Sequence, residues 1–312
     1  MVTAPARLHM GFIDLSGASG RHFGSIGAAI NEIATRIELT PAANFQVTGE
    51  DTERAARYGK TLCQALQVAD KIHLHVKQAI PGHIGLGSGT QLALAIGMAL
   101  NAFYELKLSV RQLASLTQRG KRSGIGIGVF EHGGLVVDGG RGPNTVIPPV
   151  LARHEVPPDW RFVLVFDRRG QGLHGAAEID AFKALPPFPE SEAQRLCYRL
   201  LMTALPALAE DDLPRFGQVV SDLQQTVGSH FAAAQGGVYA SAEVAEVMAW
   251  LAGQGAHGLG QTSWGPTGFA IFPDQAEADR ILAQAGQVFG HYQHIYWQCV
   301  TIANRPAWVE FA

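Results

Sequence analysis

Residues 81–90 read PGHIGLGSGT and lead without a break into the apolar run QLALAIGMALNAF. Four glycines in ten positions exclude a regular helix or strand there, while the apolar run has the character of a buried helix. A glycine-rich loop opening a helix serves one of two ends. It turns the chain where positive φ demands glycine, or it frees backbone N–H groups to meet phosphate oxygens at the helix N-terminus. Glycine spacing alone leaves both open, and the rest of the chain has to separate them.

Two further segments share this character. GLGQTSWGPTGFAIF at 258–272 gathers Thr262, Ser263, Gly265 and Thr267 in one turn ahead of a strand, and RGKRSGIGIG at 119–128 sets Arg119, Lys121 and Arg122 beside more glycine. Three such loops, one of them basic, exceed what two ordinary α+β domains need for turning corners. A multiply phosphorylated ligand would use them all. Other chemistries fit the first loop less well. Ser88 stands directly between Gly87 and Gly89 and not in G-x-S-x-G, and the closing Lys-Ser/Thr of a Walker loop is missing. The pairs His73/His75 and His291/His294 lack a Cys, Asp or Glu at convincing ligand spacing, so no histidine-based metal site is expected.

With 312 residues, 47% of them hydrophobic and 16% charged, the chain can build two domains with substantial cores. A net charge of −3 argues against nucleic acid as a partner. Three scattered cysteines, no evident signal peptide and no apolar run long enough for a bilayer point to a soluble cytoplasmic protein without a membrane partner. Short strands are expected over residues 1–50, a helix over 51–69, a strand at KIHLHVKQAI, helices at 90–106 and, capped by Ser109, at 109–120, and a strand at GLVVDGG. Five prolines in 142–159 mark a junction that divides a domain of residues 1–155 from one of residues 156–312. Beyond it, RFVLVFD, TGFAIFP and HIYWQCVTI read as strands, and 190–210, 212–234, 240–253 and 274–286 as helices.

In this setting the sequence resembles the GHMP kinase superfamily, whose central motif P-x-x-x-G-L-G-S-S opens a helix. Pro81, Gly85, Leu86, Gly87 and Ser88 match, with Gly89 in place of the second serine. RLHMGFIDL stands where the family has its N-terminal motif and GQTSWGPTGF where it has its C-terminal glycine-rich motif, so the likeness covers nearly the whole chain. It implies a two-domain α+β fold, an N-terminal α+β domain packed on a ferredoxin-like C-terminal domain, with the ligand in the cleft between them. The chain departs from the family at a further position. Kinases of this family commonly carry an aspartate in a pattern like S-G-I-D, where it helps activate the attacking hydroxyl, whereas this chain reads Ser123-Gly124-Ile125-Gly126. RLHMGFIDL, RSGIGIGVFEHGGLVVDGG and GQTSWGPTGFAI together resemble a non-kinase branch, the β-ribofuranosylaminobenzene 5′-phosphate synthases. That branch implies a decarboxylating phosphoribosyltransferase joining phosphoribosyl pyrophosphate to 4-aminobenzoate, or 4-hydroxybenzoate, in tetrahydromethanopterin biosynthesis. An ATP-dependent small-molecule kinase and a non-catalytic binder are the alternatives.

The resemblance also implies roles. Gly85, Gly87, Ser88, Gly89 and Thr90 would cradle the pyrophosphate, with Arg122 and Lys121 neutralising the leaving group. Magnesium is expected with such a ligand and no organic cofactor. Asp14, Glu131 and Asp138 are the candidate carboxylates for the metal or for the developing sugar cation, and Asp138 equally reads as a cap on the Gly139-Gly140 turn. Arg7 and His9 share a face of the first strand and would bind the benzoate carboxylate or the 5′-phosphate. Ser263, Trp264, Gly265 and Thr267 would complete the cleft, Trp264 as a stacking surface. A homodimer is expected by family analogy.

Overall fold

The computed structural model describes residues 1–170, 172 and 175–311, arranged around two sheets. The first half runs β1 (Val2–Asp14), β2 (Phe23–Pro41), β3 (Gln46–Gly49), α1 (Thr52–Leu66), β4 (Ile72–Gln78), α2 (Ser88–Phe103), α3 (Val110–Leu116), α4 (Ile125–His132), β5 (Leu135–Asp138) and β6 (Val150–His154). The second runs β7 (Arg161–Asp167), α5 (Gly175–Ala184), α6 (Glu190–Arg199), a π-helical turn at Leu200–Ala204, α7 (Leu205–Ala209), α8 (Leu213–Gln235) and α9 (Ala242–Gly253). It continues with β8 (His257–Gln261), β9 (Gly268–Phe272), α10 (Gln275–Phe289), β10 (Ile295–Val300) and β11 (Trp308–Val309).

Several boundaries differ from the sequence expectation, each for a local reason. GSIGAAI and IATRIELT form one 19-residue strand, β2, which pairs with β5 through its early residues and with β4 through its late ones. The basic glycine segment is a loop only as far as Gly124; from Ile125 it is helix α4. The proline-rich junction contains β6, which hydrogen-bonds to β5 from Leu135↔His154 to Asp138↔Val150. Ser109 does cap α3, in a reciprocal capping box with Gln112.

The first sheet has the order β11-β1-β2-β4-β3, with β5 and β6 branching from β2, and only β3 and β4 pair in parallel. The second, β10-β7-β9-β8, is antiparallel, which is the order of a ferredoxin-like β-α-β-β-α-β unit. One core joins the two halves. Leu8, Met10 and Ile30 of the first sheet share it with Phe162, Phe216 and Phe269 of the second half. Each such side chain is worth about 1.5–3 kcal/mol of burial, so the two walls of any cleft between the halves stand in fixed registration. The first sheet's other face is covered by α1, α2 and α3 through Leu62, Leu92 and Leu113.

The last residues return to the first sheet. Ile302 bridges Ile30, the Ala303 N–H donates to the Ala29 carbonyl at 2.9 Å, and Val309 pairs with Val2. The first sheet thus takes strands from both ends of the chain. Among the described residues no helix is long and apolar enough to cross a membrane, and Cys63, Cys197 and Cys299 are free thiols.

Helix α4 lies directly on β1 and β2 because Gly27 has no side chain. A Cβ there would stand 2.4 Å from the Leu8 carbonyl oxygen and 2.5 Å from Ile125 Cγ2. Gly27→Ala is expected to cost about 1–3 kcal/mol by overpacking, seen in calorimetry as a Tm several degrees below that of the parent chain.

Candidate active site

The site is built on the loop that precedes α2. Gly87, with φ 77°, is the N-cap of this 16-residue helix. Gly85 has φ +81°, and a Cβ on it would meet the Thr262 carbonyl oxygen at 2.4 Å, so only glycine fits. Four successive carbonyls of the loop are taken by donors from elsewhere. His83 O accepts from the Gly172 N–H at 2.9 Å and Leu86 O from the Arg7 N–H at 3.0 Å. Ile84 O accepts from Thr267 Oγ1 at 2.8 Å, and Gly85 O from both Arg7 Nη1 at 3.0 Å and Thr262 Oγ1 at 2.8 Å. A trans peptide aims its N–H opposite to its C=O. Among the described residues the amides of Gly85, Leu86, Gly87, Ser88 and Gly89 accordingly have no acceptor, and they stand at the positive end of α2.

These amides line a cleft of about 550 Å³ between the halves. Arginines surround them. Arg54 Nη1 donates to Ser88 Oγ at 3.2 Å, and its Nε is held by Asp51 at 2.9 and 2.7 Å. Arg119 donates to the Tyr58 hydroxyl and lies over that ring at 5.1 Å, with Arg57 at 5.4 Å. On the other side stand Ser263, Trp264 and Gly265. Trp264 also belongs to an aromatic wall, 4.6 Å from Phe231 and 5.4 Å from Phe182 between ring centroids.

His9 sits behind this wall. It is 3% exposed, and its Nδ1 accepts from the Gly11 N–H at 3.2 Å, which places the ring proton on Nε2. Burial, and secondarily the charge of Arg7, hold its pKa well below the ordinary imidazole value, so the ring is neutral. Nε2 is buried without a hydrogen-bond partner, and His9 lines a cavity of about 30 Å³ with Ser263 and Trp264. Such a space holds one water-sized group.

The structure brings together Arg7, Gly85, Gly87, Ser88, Gly89, Thr90, Ser263, Trp264 and Gly265 on one cleft, with Thr267 behind the loop it anchors. Other expected residues lie elsewhere. Arg122 covers the Phe182 ring at 4.7 Å, on the aromatic wall and not at the amides. Exposed Lys121 donates to Gln118 Oε1 at 3.1 Å. Glu131 faces Arg111 at 3.7 Å. Asp14 closes the turn after β1, its Oδ1 accepting from Ser16 N at 2.8 Å and Gly17 N at 3.2 Å. Asp138 is fully buried and accepts from Ser25, from Ser123 at 3.3 Å, and from the amides of Gly124 at 2.9 Å and Gly140 at 2.8 Å. Burial pushes its pKa up against these hydrogen bonds, and the enclosed carboxylate caps α4 and the Gly140 turn.

Glu53 is the one carboxylate lining the cleft among the described residues. The nearest approach to a ligand cluster among them, Asp167, Glu243 and His294, is bridged by Arg169 at 3.0 and 2.7 Å. At Gly126, where the sequence lacks the kinases' aspartate, a Cβ would stand 3.1 Å from Thr90 Cγ2, a tight contact that calls for a shift of a few tenths of an ångström.

Arg54, Arg57 and Tyr58 were not expected at the site. Their spacing of three and four within TERAARYGK sets them on one helical face, which is a readable signal. Gly172 and Gly175 also line the cleft, from a pattern Gly170-x-Gly172-x-x-Gly175 that follows β7; residues 171, 173 and 174 lie outside those described.

Residues 52–134 match the GHMP kinases N terminal domain and residues 204–291 the GHMP kinases C terminal domain. The chain is 35% identical over 254 residues to beta-ribofuranosylphenol 5′-phosphate synthase of Methanocaldococcus jannaschii, covering 72% of this chain and 76% of that one. To the enzyme of the same name from Archaeoglobus fulgidus it is 34% identical over 286 residues, 87% of each. In fold it is similar to Lactococcus lactis galactokinase complexed with galactose, at a TM-score of 0.71, 15% identity and coverage of 98% and 94%.

The neutral His9 makes a pH prediction. Its folded pKa lies below its unfolded one, so its contribution is fully present above about pH 6.5 and is lost as pH falls, because the unfolded chain takes up a proton that the folded one refuses. The loss is up to about 1.4 kcal/mol per pH unit until the folded pKa is reached. Urea unfolding between pH 7.5 and pH 5 is expected to show a shallower acid slope for His9→Gln than for the parent chain.

Proposed function

Since the chain belongs to the GHMP kinase superfamily and, within it, to the family of the beta-ribofuranosylphenol 5′-phosphate synthases, we propose that it transfers phosphoribose from 5-phosphoribosyl 1-pyrophosphate to 4-hydroxybenzoate or 4-aminobenzoate, releasing carbon dioxide and pyrophosphate. One observation carries the reading: five amides without an acceptor among the described residues, ringed by arginines, in a chain that has Gly126 where the kinases' aspartate is expected. Departure of pyrophosphate calls for stabilisation of growing negative charge and for no base, which is what such a cradle supplies. A phosphoryl transfer to an alcohol would also use a group that orients or deprotonates the hydroxyl, and Gly126 has no side chain to supply it.

In this reading the bond from ribose C1 to the diphosphate oxygen breaks, its electron pair leaving on pyrophosphate against the amides of residues 85–89 and the nearby guanidinium groups. C1 becomes oxocarbenium-like. The para oxygen or nitrogen of the arene pushes electron density onto the ring carbon that bears the carboxylate, and that carbon bonds to C1. The carboxylate then departs as carbon dioxide, and the electron pair of its bond restores aromaticity. No proton has to leave the ring carbon, so orientation and electrostatics suffice. Trp264 offers the arene a flat wall, and His9 Nε2–H offers an oxygen of the ligand a donor. On the same reading the product enters tetrahydromethanopterin biosynthesis, and the protein works as a cytoplasmic homodimer.

The test is incubation with carboxyl-labelled 4-hydroxybenzoate or 4-aminobenzoate. Label is expected to leave only when phosphoribosyl pyrophosphate is present. Formation of ADP from ATP with an alcohol acceptor, and no release of label with either benzoate, would replace this reading by the kinase one. Ser88→Leu, which removes the Arg54 contact and crowds the amides, is expected to raise the KM for phosphoribosyl pyrophosphate by about tenfold or more.

A further inference from the structure

We propose that the cleft takes a diphosphate as the anion itself, its charge met by guanidinium groups and backbone amides, with none of the described carboxylates holding a divalent cation against it. The inference rests on the reading above, in which this cleft is the diphosphate site.

The charges around the cleft are unequal. Arg7, Arg54, Arg57 and Arg119 line it, against Glu53 alone among the described carboxylates. Asp51 lies beside Arg54, but both its oxygens already accept from that guanidinium at 2.9 and 2.7 Å. Arg57 and Arg119 have no ion-pair partner among the described residues. Each lies over the Tyr58 ring instead, at 5.4 and 5.1 Å. Arg119 gives one Nη to the Tyr58 hydroxyl, while its Nε is buried with no acceptor. A Cβ on Gly89 would come within 3.5 Å of both Arg119 Nη1 and Tyr58 Oη, so this pair stands at the first turn of α2, next to the unpaired amides. Two uncompensated guanidinium groups and a row of unpaired donors converge on one place. An anion satisfies them all, and charge-assisted hydrogen bonds to it are the strong kind.

A magnesium site asks for the opposite arrangement, one or two carboxylates aimed at the metal beside the phosphate oxygens. Glu53 is exposed, in the first turn of α1, and Asp14, Glu131 and Asp138 are engaged elsewhere. Placing another positive charge beside two uncompensated arginines is unfavourable at short range. Magnesium that accompanies a sugar diphosphate from solution is then held by the substrate's oxygens and not by the chain.

Calorimetric titration of the whole protein with inorganic pyrophosphate, at low ionic strength, compares EDTA with excess magnesium. Binding is expected in EDTA, within about threefold of its strength with magnesium. Arg57→Ala and Arg119→Ala should each weaken it by about tenfold in EDTA, Arg119→Lys by less, and Glu53→Gln not at all. Thermal melts show that each variant is folded. Binding that appears only with magnesium, and disappears in Glu53→Gln, overturns the proposal. No arene is present and no turnover is read. A chain that binds pyrophosphate in EDTA but releases no label loses the proposed reaction and keeps this inference; one that releases label but binds pyrophosphate only through magnesium does the reverse.

Discussion

The direction of four peptide carbonyls, at residues 83 to 86, governs the rest of this molecule. They are held by Arg7 of the first strand, by Thr262 and Thr267 of the turn between β8 and β9, and by the amide of Gly172 after β7. A neutral hydrogen bond of this kind adds only about 0.5–1.5 kcal/mol, but its direction is what matters. With every carbonyl tied to protein, the opposite side of the same backbone becomes a row of N–H groups. The donors come from both halves, so the polarity of the loop is set only once the halves have met over their shared core. Assembly of the domains and alignment of these amides are one event.

That dependence explains which parts of the site could be read in the sequence. The loop, its helix, the Ser109 cap and the family likeness all rest on neighbours in the chain, and local chemistry announces them. The arginines were harder to see. On α1 the apolar face formed by Ala55, Leu62 and Cys63 accounts for the helix, and nothing local says that Arg54 and Arg57 look across a cleft and not into water. Arg119 and Arg122 illustrate the same limit. They lie three positions apart in one basic turn, yet one meets Tyr58 at the start of α2 and the other meets Phe182 on the far side of Trp264. Asp138 was misleading for a further reason. A carboxylate beside glycines looks the same whether it is open to a metal or wrapped by amides, and only the meeting of β2, α4 and β5 decides that it is wrapped.

The scaffold of sugar and mevalonate kinases suits a reaction that needs no acid-base residue at the acceptor. What such kinases and the proposed transferase have in common is a departing polyphosphate, the group that the proposed reading places at the amides before α2. Its distinctive change is compact. Gly126 carries no acid and packs tightly on the Thr90 methyl, and Gly89 lies within ordinary contact distance of Arg119 and Tyr58 at the helix start. Packing and electrostatics meet here.

The strand that Trp308 and Val309 add beside Val2 and Thr3 bears on how the protein is made. During synthesis β1 can pair with β2 as soon as both have emerged, yet its edge at Val2 and Thr3 stays bare until Trp308 and Val309 have followed the whole second half. A bare strand edge is a template for foreign strands. That short edge is therefore open to mispairing for as long as the second half is still being made, and β11 is what closes it.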